Sequence, residues 1–507
     1  MLFPSEKEFL KLAKKGNLVP VYKEILGDLE TPVSAYFKIA HKAKYSFLLE
    51  SVEGEEKVSR FSFLAKDPEL IFQTKHNTVK ISRLNKGKMI QESHKITDTP
   101  LSFIRQILKK YKFVNIPQLP RFCGGLVGYL SYDVVKFFEK LPNKTTDDLK
   151  LPDTLLVLAK SLIIFDHLNH NVKVVQCVYV DPKASQSQKI KEYKKALKQI
   201  DGLIHELDQP LIVETQKKRR THPLAKLKAR SNTTETQFKK MVTEAKKQIR
   251  AGEIIQVVLS QRFEVDLKTD PFNIYRTLRA VNPSPYMFYL NLNGIQIIGS
   301  SPELLVRCEN GIVETRPIAG TRPRGKDDKQ DAALAKDLLE DPKEKAEHIM
   351  LVDLGRNDLG RVCQKGSVYL SEFMSVEKYS HVMHIVTNVK GKLKKNSDDL
   401  DVLKAAFPAG TVSGAPKIRA MEIIEDLEKV TRGPYAGCIG YFSFSGNLDT
   451  CITIRTIVAH KGKAYIQAGA GIVADSKPQK EYQETINKAK AQVMAIELAH
   501  NQPFDTN

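Results

Sequence analysis

The chain has 507 residues, no Trp, and 79 Lys and Arg against 59 Asp and Glu, a formal charge of +20. That is material for roughly two to four domains at ~150 residues each, far more than one core needs. With 27% charged and 42% hydrophobic residues, the chain is neither disordered nor fibrous.

In chain order, Pro4 and Ser5 start a helix over 5–15. Strand-like runs follow at 35–39, 45–50 and 78–81, with a glycine-rich strand entry at 123–129. Apolar, partly β-branched runs at 154–165 and 172–180 read as paired strands, and 187–207 as a charged helix. The mixed-charge stretch 208–231, with Pro210 and Pro223, is the best domain boundary. Phe238, Met241, Val242, Ala245 and Ile249 then give an amphipathic helix over 234–252, stopped by Gly252. Strands are expected at 254–263, 286–292, 295–298, 304–307, 435–445, 449–460 and 463–467. Helices are expected at 330–339, 342–354, 401–407, 417–428 and 480–500. Strands run together with inserted helices and do not alternate strictly with them, which favours an α+β fold.

The best apolar run, 151–166, is broken by Asp153 and Lys160, so no membrane span is expected. Met1-Leu2-Phe3-Pro4-Ser5-Glu6 has no basic region before an apolar stretch, so no signal peptide is expected either. The six cysteines show no CxxC or metal spacing, which suits a reducing cytoplasm and argues against a cysteine–zinc site. The positive charge invites a nucleic-acid reading. Residues 185–230 hold 12 basic against 5 acidic residues, including Lys217-Lys218-Arg219-Arg220, but lack the aromatic interleaving of single-strand binders. Such a run is usually a solvated surface, and a basic surface equally attracts small anions.

Three patterns carry chemistry. Asp341 and Pro342 start a helix in which Glu344 and Glu347 share a face; Ser476 and Pro478 start another, with Glu481, Glu484 and then Lys488. Each pair alone reads as helix surface. Brought together, four carboxylates repel one another unless they hold a hard cation such as magnesium. The segment Gln467-Ala468-Gly469-Ala470-Gly471-Ile472-Val473-Ala474 contains GxGxxA, but Pro478 follows where a dinucleotide-fold helix is already under way. Its glycines read better as bare amides for an anion, with Gly320-Thr321 and the turn Gly410-Thr411-Val412-Ser413-Gly414 as further candidates. Arg455 and His384 interrupt apolar strands. Arg455 suits a carboxylate, or equally a structural ion pair. His384 suits proton transfer, although core histidines are commoner.

Longer motifs resemble the component I family of anthranilate synthase, within the chorismate-utilising enzymes. They are Leu48-Leu49-Glu50-Ser51, Asn282-Pro283-Ser284-Pro285-Tyr286-Met287-Phe288, Ser301-Pro302-Glu303, the segment from Pro317 to Gly325, Asp353-Leu354-Gly355-Arg356-Asn357-Asp358, the segment from Pro408 to Lys417, and that from Gly469 to Ser476. The resemblance runs from about Tyr36 to about Ala499, with Gln479-Lys480 a small departure where the family commonly has an acidic residue. It implies two intertwined subdomains of mainly antiparallel sheet with flanking helices. It also implies an N-terminal region at 20–165 with a tryptophan regulatory site, a strand, charged helix and linker at 166–232, and a chorismate-binding catalytic domain at 233–500.

The implied reaction is amination of chorismate at C2 by ammonia, followed by loss of pyruvate to give anthranilate. By the resemblance, magnesium is held by Glu347 and Glu484, with Glu344 and Glu481 nearby. Arg455, Tyr435, the Gly469-Ala470-Gly471 amides, Gly320 and Thr321 bind substrate. Glu303 protonates the leaving hydroxyl, His384 serves pyruvate elimination, and Thr411 and Lys488 line the site. Gln256 stands where water-adding relatives have lysine. Ala319 stands where para-amino relatives have a nucleophilic lysine. Ala319 points to ortho amination over aminodeoxychorismate synthase component I, and Gln256 disfavours a salicylate- or isochorismate-forming enzyme. The reading from another class, a basic nucleic-acid-binding protein, leaves the ordered motifs unexplained. Glu50, Ser51, Pro285, Tyr286, Met287 and Phe288 resemble a site for tryptophan as feedback inhibitor. No cysteine sits in a GxCxG nucleophile turn, so glutamine use implies a separate glutamine amidotransferase subunit, component II, in a heterotetramer. No nucleic-acid or membrane partner is implied, and the expected location is the cytoplasm.

Overall fold

The computed structural model describes residues 2–51, 60–85, 88–211, 214–215, 227–379, 382–501 and 504–505. The basic run at 217–220 and most of the expected linker lie outside them. Two large antiparallel sheets dominate, 13 and 12 strands among the described residues. In the first, Tyr45–Glu50 pairs with Tyr286–Leu292; in the second, Gly125–Leu130 pairs with Cys438–Ser443. Strands from early and late sequence thus interleave in both sheets, which makes the fold α+β and intertwined, as expected. All six cysteines are buried and free. No helix of the described residues is long and apolar enough to cross a membrane.

Helix ends follow their caps. Ser5 and Glu8 form a capping box at the helix Glu6–Leu12, and Thr234 and Gln237 do the same for Glu235–Arg250. Asp341 caps Pro342–Val362 by accepting from the amides of Lys343 and Glu344.

Residues 35–39 are not a strand: they lie in the helix Pro32–Ile39. Thr31 and Ser34 cap it reciprocally, Pro32 occupies its first turn, and Ala35, Tyr36 and Ile39 form its buried face.

Two expected single strands each change sheets midway. The run 154–165 divides at Lys160 into Thr154–Ala159 in the second sheet and Ser161–Asp166 in the first. The run 449–460 divides into Leu448–Ile452 in the second and Thr456–His460 in the first. Arg455 is the hinge, with φ +52°, a left-handed backbone unusual for a residue with a Cβ. A third crossover joins Ile295–Ser301 to Leu304–Glu309, and Glu303 lies on it. Glu303 and Arg455 therefore sit on the seam between the sheets, where backbone leaves one ladder before joining the other.

Candidate active site and a second pocket

Glu303 is buried, and burial pushes its carboxyl up to about 7, with Thr411 and the Lys488 ammonium pulling back. A substantial share of it is therefore protonated near neutral pH. It lines a cavity with Leu354, Asp358, Gly410, Thr411 and Ile452. The Thr411 hydroxyl is buried beside the Glu303 carboxyl.

Lys488 ties the site together. On the helix Pro478–Asn501 its ammonium pairs with Glu484 one turn earlier (2.7 Å) and donates to the Gly469 carbonyl (3.1 Å). Its own carbonyl accepts from Arg455 Nη1 at 2.7 Å. Arg455 is half-buried, and this desolvation lowers its pKa, with the neighbouring Tyr435 and Glu484 countering it. It has no bidentate carboxylate partner among the described residues, so its fork remains available to an anion. Tyr435 stands beside it, pushed up to about 12 by burial, so its phenol stays protonated.

Two glycines of the strand Lys463–Ile472 make room for side chains. A Cβ on Gly469 would lie 2.7 Å from the Tyr435 hydroxyl, and one on Gly471 would lie 2.5 Å from Gln256 Nε2. The strand Thr456–His460 pairs with this strand only as far as Ile466. From Gln467 to Ile472 only Gln256–Asp266 flanks it as a sheet neighbour, so one edge of its backbone is left for other groups. The Ala470 side chain is fully buried in the core between helices and sheet, so only its backbone can face a ligand.

On the far wall the strands Ile318–Pro323 and Val382–Lys392 pair with a bulge between Ala319 and Arg322. Gly320 occupies it with φ +68°, and a side chain there would strike Leu338 and Glu344 Oε2 at 3.0 and 3.1 Å. The Gly320 carbonyl lies 2.8 Å from His384 Nδ1, and the Thr321 hydroxyl lies 3.1 Å from it. A carbonyl only accepts, so Nδ1 carries the proton and Nε2 keeps its lone pair. Burial lowers the His384 pKa, and Arg455 lowers it further, which keeps the ring neutral. Ala319 is buried and pairs with Ile385, next to His384.

The two carboxylate-bearing helices do face each other. Burial, then Glu344, raises the Glu347 pKa, and Glu484 adds to it from the other helix. Burial raises Glu481, with Glu484 again contributing. Among the described residues no three His, Cys, Asp or Glu side chains converge closely enough to hold a metal ion. The donors fit a hard divalent cation in kind: all are carboxylates, mutually repelling and partly buried. Two are partnered by cations instead, Glu484 by Lys488 and Glu344 by Arg322 (3.3 Å).

Sequence reasoning missed the supports. Arg322 also binds Asp337 at 2.7 Å and the N-cap Asp341 at 2.9 Å, fixing the start of the Glu344 helix. Arg432, fully buried, pairs with Glu428 (2.6 Å) and donates to the carbonyls of Val412 (2.7 Å) and Val258 (2.8 Å). Glu428 in turn accepts from Ser260. This network locks the Thr411 turn against the Gln256 strand. The spacing of four between Glu428 and Arg432 was a visible cue, but nothing local showed that the pair is buried.

Glu50, Ser51, Pro285, Tyr286, Met287 and Phe288 line a single separate pocket, with Phe61, Phe63, Arg121, Arg307, Tyr441 and Asp449. Register explains the convergence, since Met287 pairs with Glu50. Tyr275 donates to the Glu50 carboxylate and Arg279 lies 3.2 Å from it. The hydroxyls of Ser51 and Tyr441 are buried without partners.

A family model described as chorismate binding enzyme matches residues 44–494. Anthranilate synthase component 1 of Acetivibrio thermocellus is 47% identical, covering 98% of this chain and 99% of that protein. The protein of the same name from Aquifex aeolicus is 48% identical, covering 98% of each. The crystal structure of anthranilate synthase component I from Streptococcus pneumoniae superposes with a TM-score of 0.74 at 38% identity, over 92% of this chain and 99% of that one. The menaquinone-specific isochorismate synthase of Escherichia coli, at 19% identity and a TM-score of 0.66 over 97% and 98% of the two chains, shares the fold.

Proposed function

We propose, from the premise that this chain belongs to the chorismate binding enzyme family and is an anthranilate synthase component I, that it aminates chorismate at C2 with ammonia and eliminates pyruvate to give anthranilate. The observation that carries the reading is Glu303, a buried carboxyl whose pKa burial lifts to about 7, beside the buried Thr411 hydroxyl.

Chorismate is a dianion. Arg455, held at Nη1 by the Lys488 carbonyl but with no carboxylate partner among the described residues, and the protonated Tyr435 receive the enolpyruvyl carboxylate, with the open edge of Gly469 to Gly471 alongside. Glu347 and Glu484, with Glu344 and Glu481 nearby, would hold magnesium, whose charge would offset that of the ring carboxylate. Glu303 gives its proton to the C4 hydroxyl as that group leaves, and Thr411 and Lys488 orient and stabilise the resulting carboxylate. The neutral amide of Gln256 activates no water and leaves the C2 face to ammonia. His384, with Nε2 unprotonated, takes the proton released as the ring becomes aromatic and pyruvate departs. Ala319 offers no nucleophile, which keeps the product ortho.

The aromatic pocket takes tryptophan as feedback inhibitor. Glu50 receives the ammonium, the Ser51 hydroxyl gains a partner, and Met287, Phe288 and their neighbours hold the indole. Nitrogen from glutamine requires the amidotransferase component, in a heterotetramer. Purified chain with chorismate, magnesium and ammonium should form anthranilate, and with glutamine in place of ammonium should form none. Glutamine-dependent turnover by the chain alone would contradict the proposal.

A further inference from the structure

The cavity that Glu303 lines measures about 40 Å³, room for roughly two or three waters. Among the described residues around it, Glu303 and Asp358 are the only ionisable ones, and Thr315 and Thr411 the only other polar side chains. One helix face brings Asp358 there. On Pro342–Val362, Glu347, Leu351, Leu354 and Asp358 recur at helical spacing and share a stripe. Leu354 packs on the Thr411 turn: a Cβ on Gly410 would lie 2.7 Å from Leu354 Cδ1. Asp358 follows one turn later, is 8% exposed, and pairs with Lys417 at 2.8 Å. Lys417 opens the helix Lys417–Leu427, and its neighbours Pro416 and Ile418 are exposed, so the pair lies close to solvent. Burial raises the Asp358 pKa, with Lys417 and Arg361 pulling back.

We propose that Asp358 returns the proton to Glu303 through water in this cavity. The proposal rests on the reading above, in which Glu303 protonates the leaving hydroxyl. Each turnover breaks the C4–O bond, the hydroxyl departs as water with the Glu303 proton, and Glu303 is left as a buried carboxylate. The ammonia nitrogen sheds one proton to solvent on becoming the ring amine, so the overall reaction neither consumes nor releases one. Asp358 gives its proton to the nearer water, that water passes one on, and Glu303 takes it. Asp358 then takes another from solvent on the Lys417 side. Only O–H bonds form and break in this step. Asp358 touches no substrate and acts through Glu303, and Lys417 fixes its orientation.

Rapid-quench kinetics with chorismate, magnesium and ammonium separate the first turnover from those that follow. At about pH 6, below the Glu303 pKa of about 7, most chains start with Glu303 loaded. In Asp358→Asn the first turnover should stay within about twofold of the wild-type rate, as a burst of at most one anthranilate per chain. Steady-state kcat should fall about 10-fold or more, because asparagine passes no proton on. Asp358→Glu keeps the carboxyl and should restore kcat to within about threefold of wild type. If Asp358→Asn fails to fold, Ala406→Val, which crowds the water and leaves the ion pair intact, should show the same split between the two phases. A first turnover slowed as much as kcat marks a purely structural role and overturns the relay, as does an unchanged kcat in the folded variant. Wild-type chain that makes no anthranilate, or Glu303→Gln that keeps both phases, overturns the amination reading itself, and the relay with it.

Discussion

The amide of Ile452 donates to the carbonyl of Glu303 at 3.0 Å, joining two of the crossovers between the sheets. Ser301 Oγ reinforces the join by donating to the Ile452 carbonyl at 2.7 Å. Ile452 ends the strand Leu448–Ile452, whose Asp449 and Cys451 line the aromatic pocket. Tyr286 donates to Asp449 at 2.9 Å. The strand that borders the aromatic pocket is thus the strand that holds Glu303.

That connection would give the proposed inhibition a physical route. A ligand can inhibit only by preferring one state, and a shift of Asp449 would reach Glu303 through the Ile452 amide. Ser51→Ala and Glu50→Gln should each weaken tryptophan inhibition by about 10-fold or more, with turnover in the absence of tryptophan retained. Inhibition curves decide it, and full sensitivity in both variants would count against the pocket.

Arg455 should tolerate no conservative change. Lysine replaces a fork by a point charge and loses the bond to the Lys488 carbonyl. Arg455→Lys should lower kcat/KM for chorismate by about 10-fold or more, with most of the loss in KM. A wild-type KM would place the enolpyruvyl carboxylate elsewhere.

On the proposed reading, product choice rests on two uncharged side chains. Gln256 Nε2 lies over Gly471 and Ala319 lies beside His384, so lysine at either place brings an ammonium into the site. Gln256→Lys and Ala319→Lys should each suppress anthranilate fluorescence. Unchanged fluorescence from both would sink this account of specificity.

Turnover should stop when divalent cations are chelated and return when magnesium is added. Glu484→Gln should raise the magnesium concentration needed for half activity about 10-fold or more. Activity that survives thorough chelation would leave the facing carboxylates a structural role only.

The sequence made the caps and amphipathic helices readable because their cues are local. It hid the sheet changes at Lys160 and Arg455, since alternation along a strand says nothing about which sheet it joins. Residues 35–39 satisfied a strand pattern, and the cue for a helix, Thr31-Pro32, lay outside the window. The motifs marked Glu303, Thr411, His384, Arg455 and Lys488, and all of these converge. Arg432 and Arg322 stayed hidden because their roles depend on long-range carbonyl and carboxylate partners.

The most direct test is Glu303→Gln, assayed for both turnover and stability. The Glu303 pKa is raised from 4.5 to about 7, so the folded state binds the proton more tightly than the unfolded chain. Its contribution to stability is present below about pH 4.5 and is lost as pH rises through about 7. Glutamine removes that loss, so above pH 7 the variant should be more stable than wild type, by on the order of 3 kcal/mol at most, and no more stable near pH 4. Anthranilate formation should nevertheless fall by about 10² to 10⁴. A folded Glu303→Gln protein that keeps near-wild-type turnover would contradict the central claim that this buried acid protonates the leaving hydroxyl.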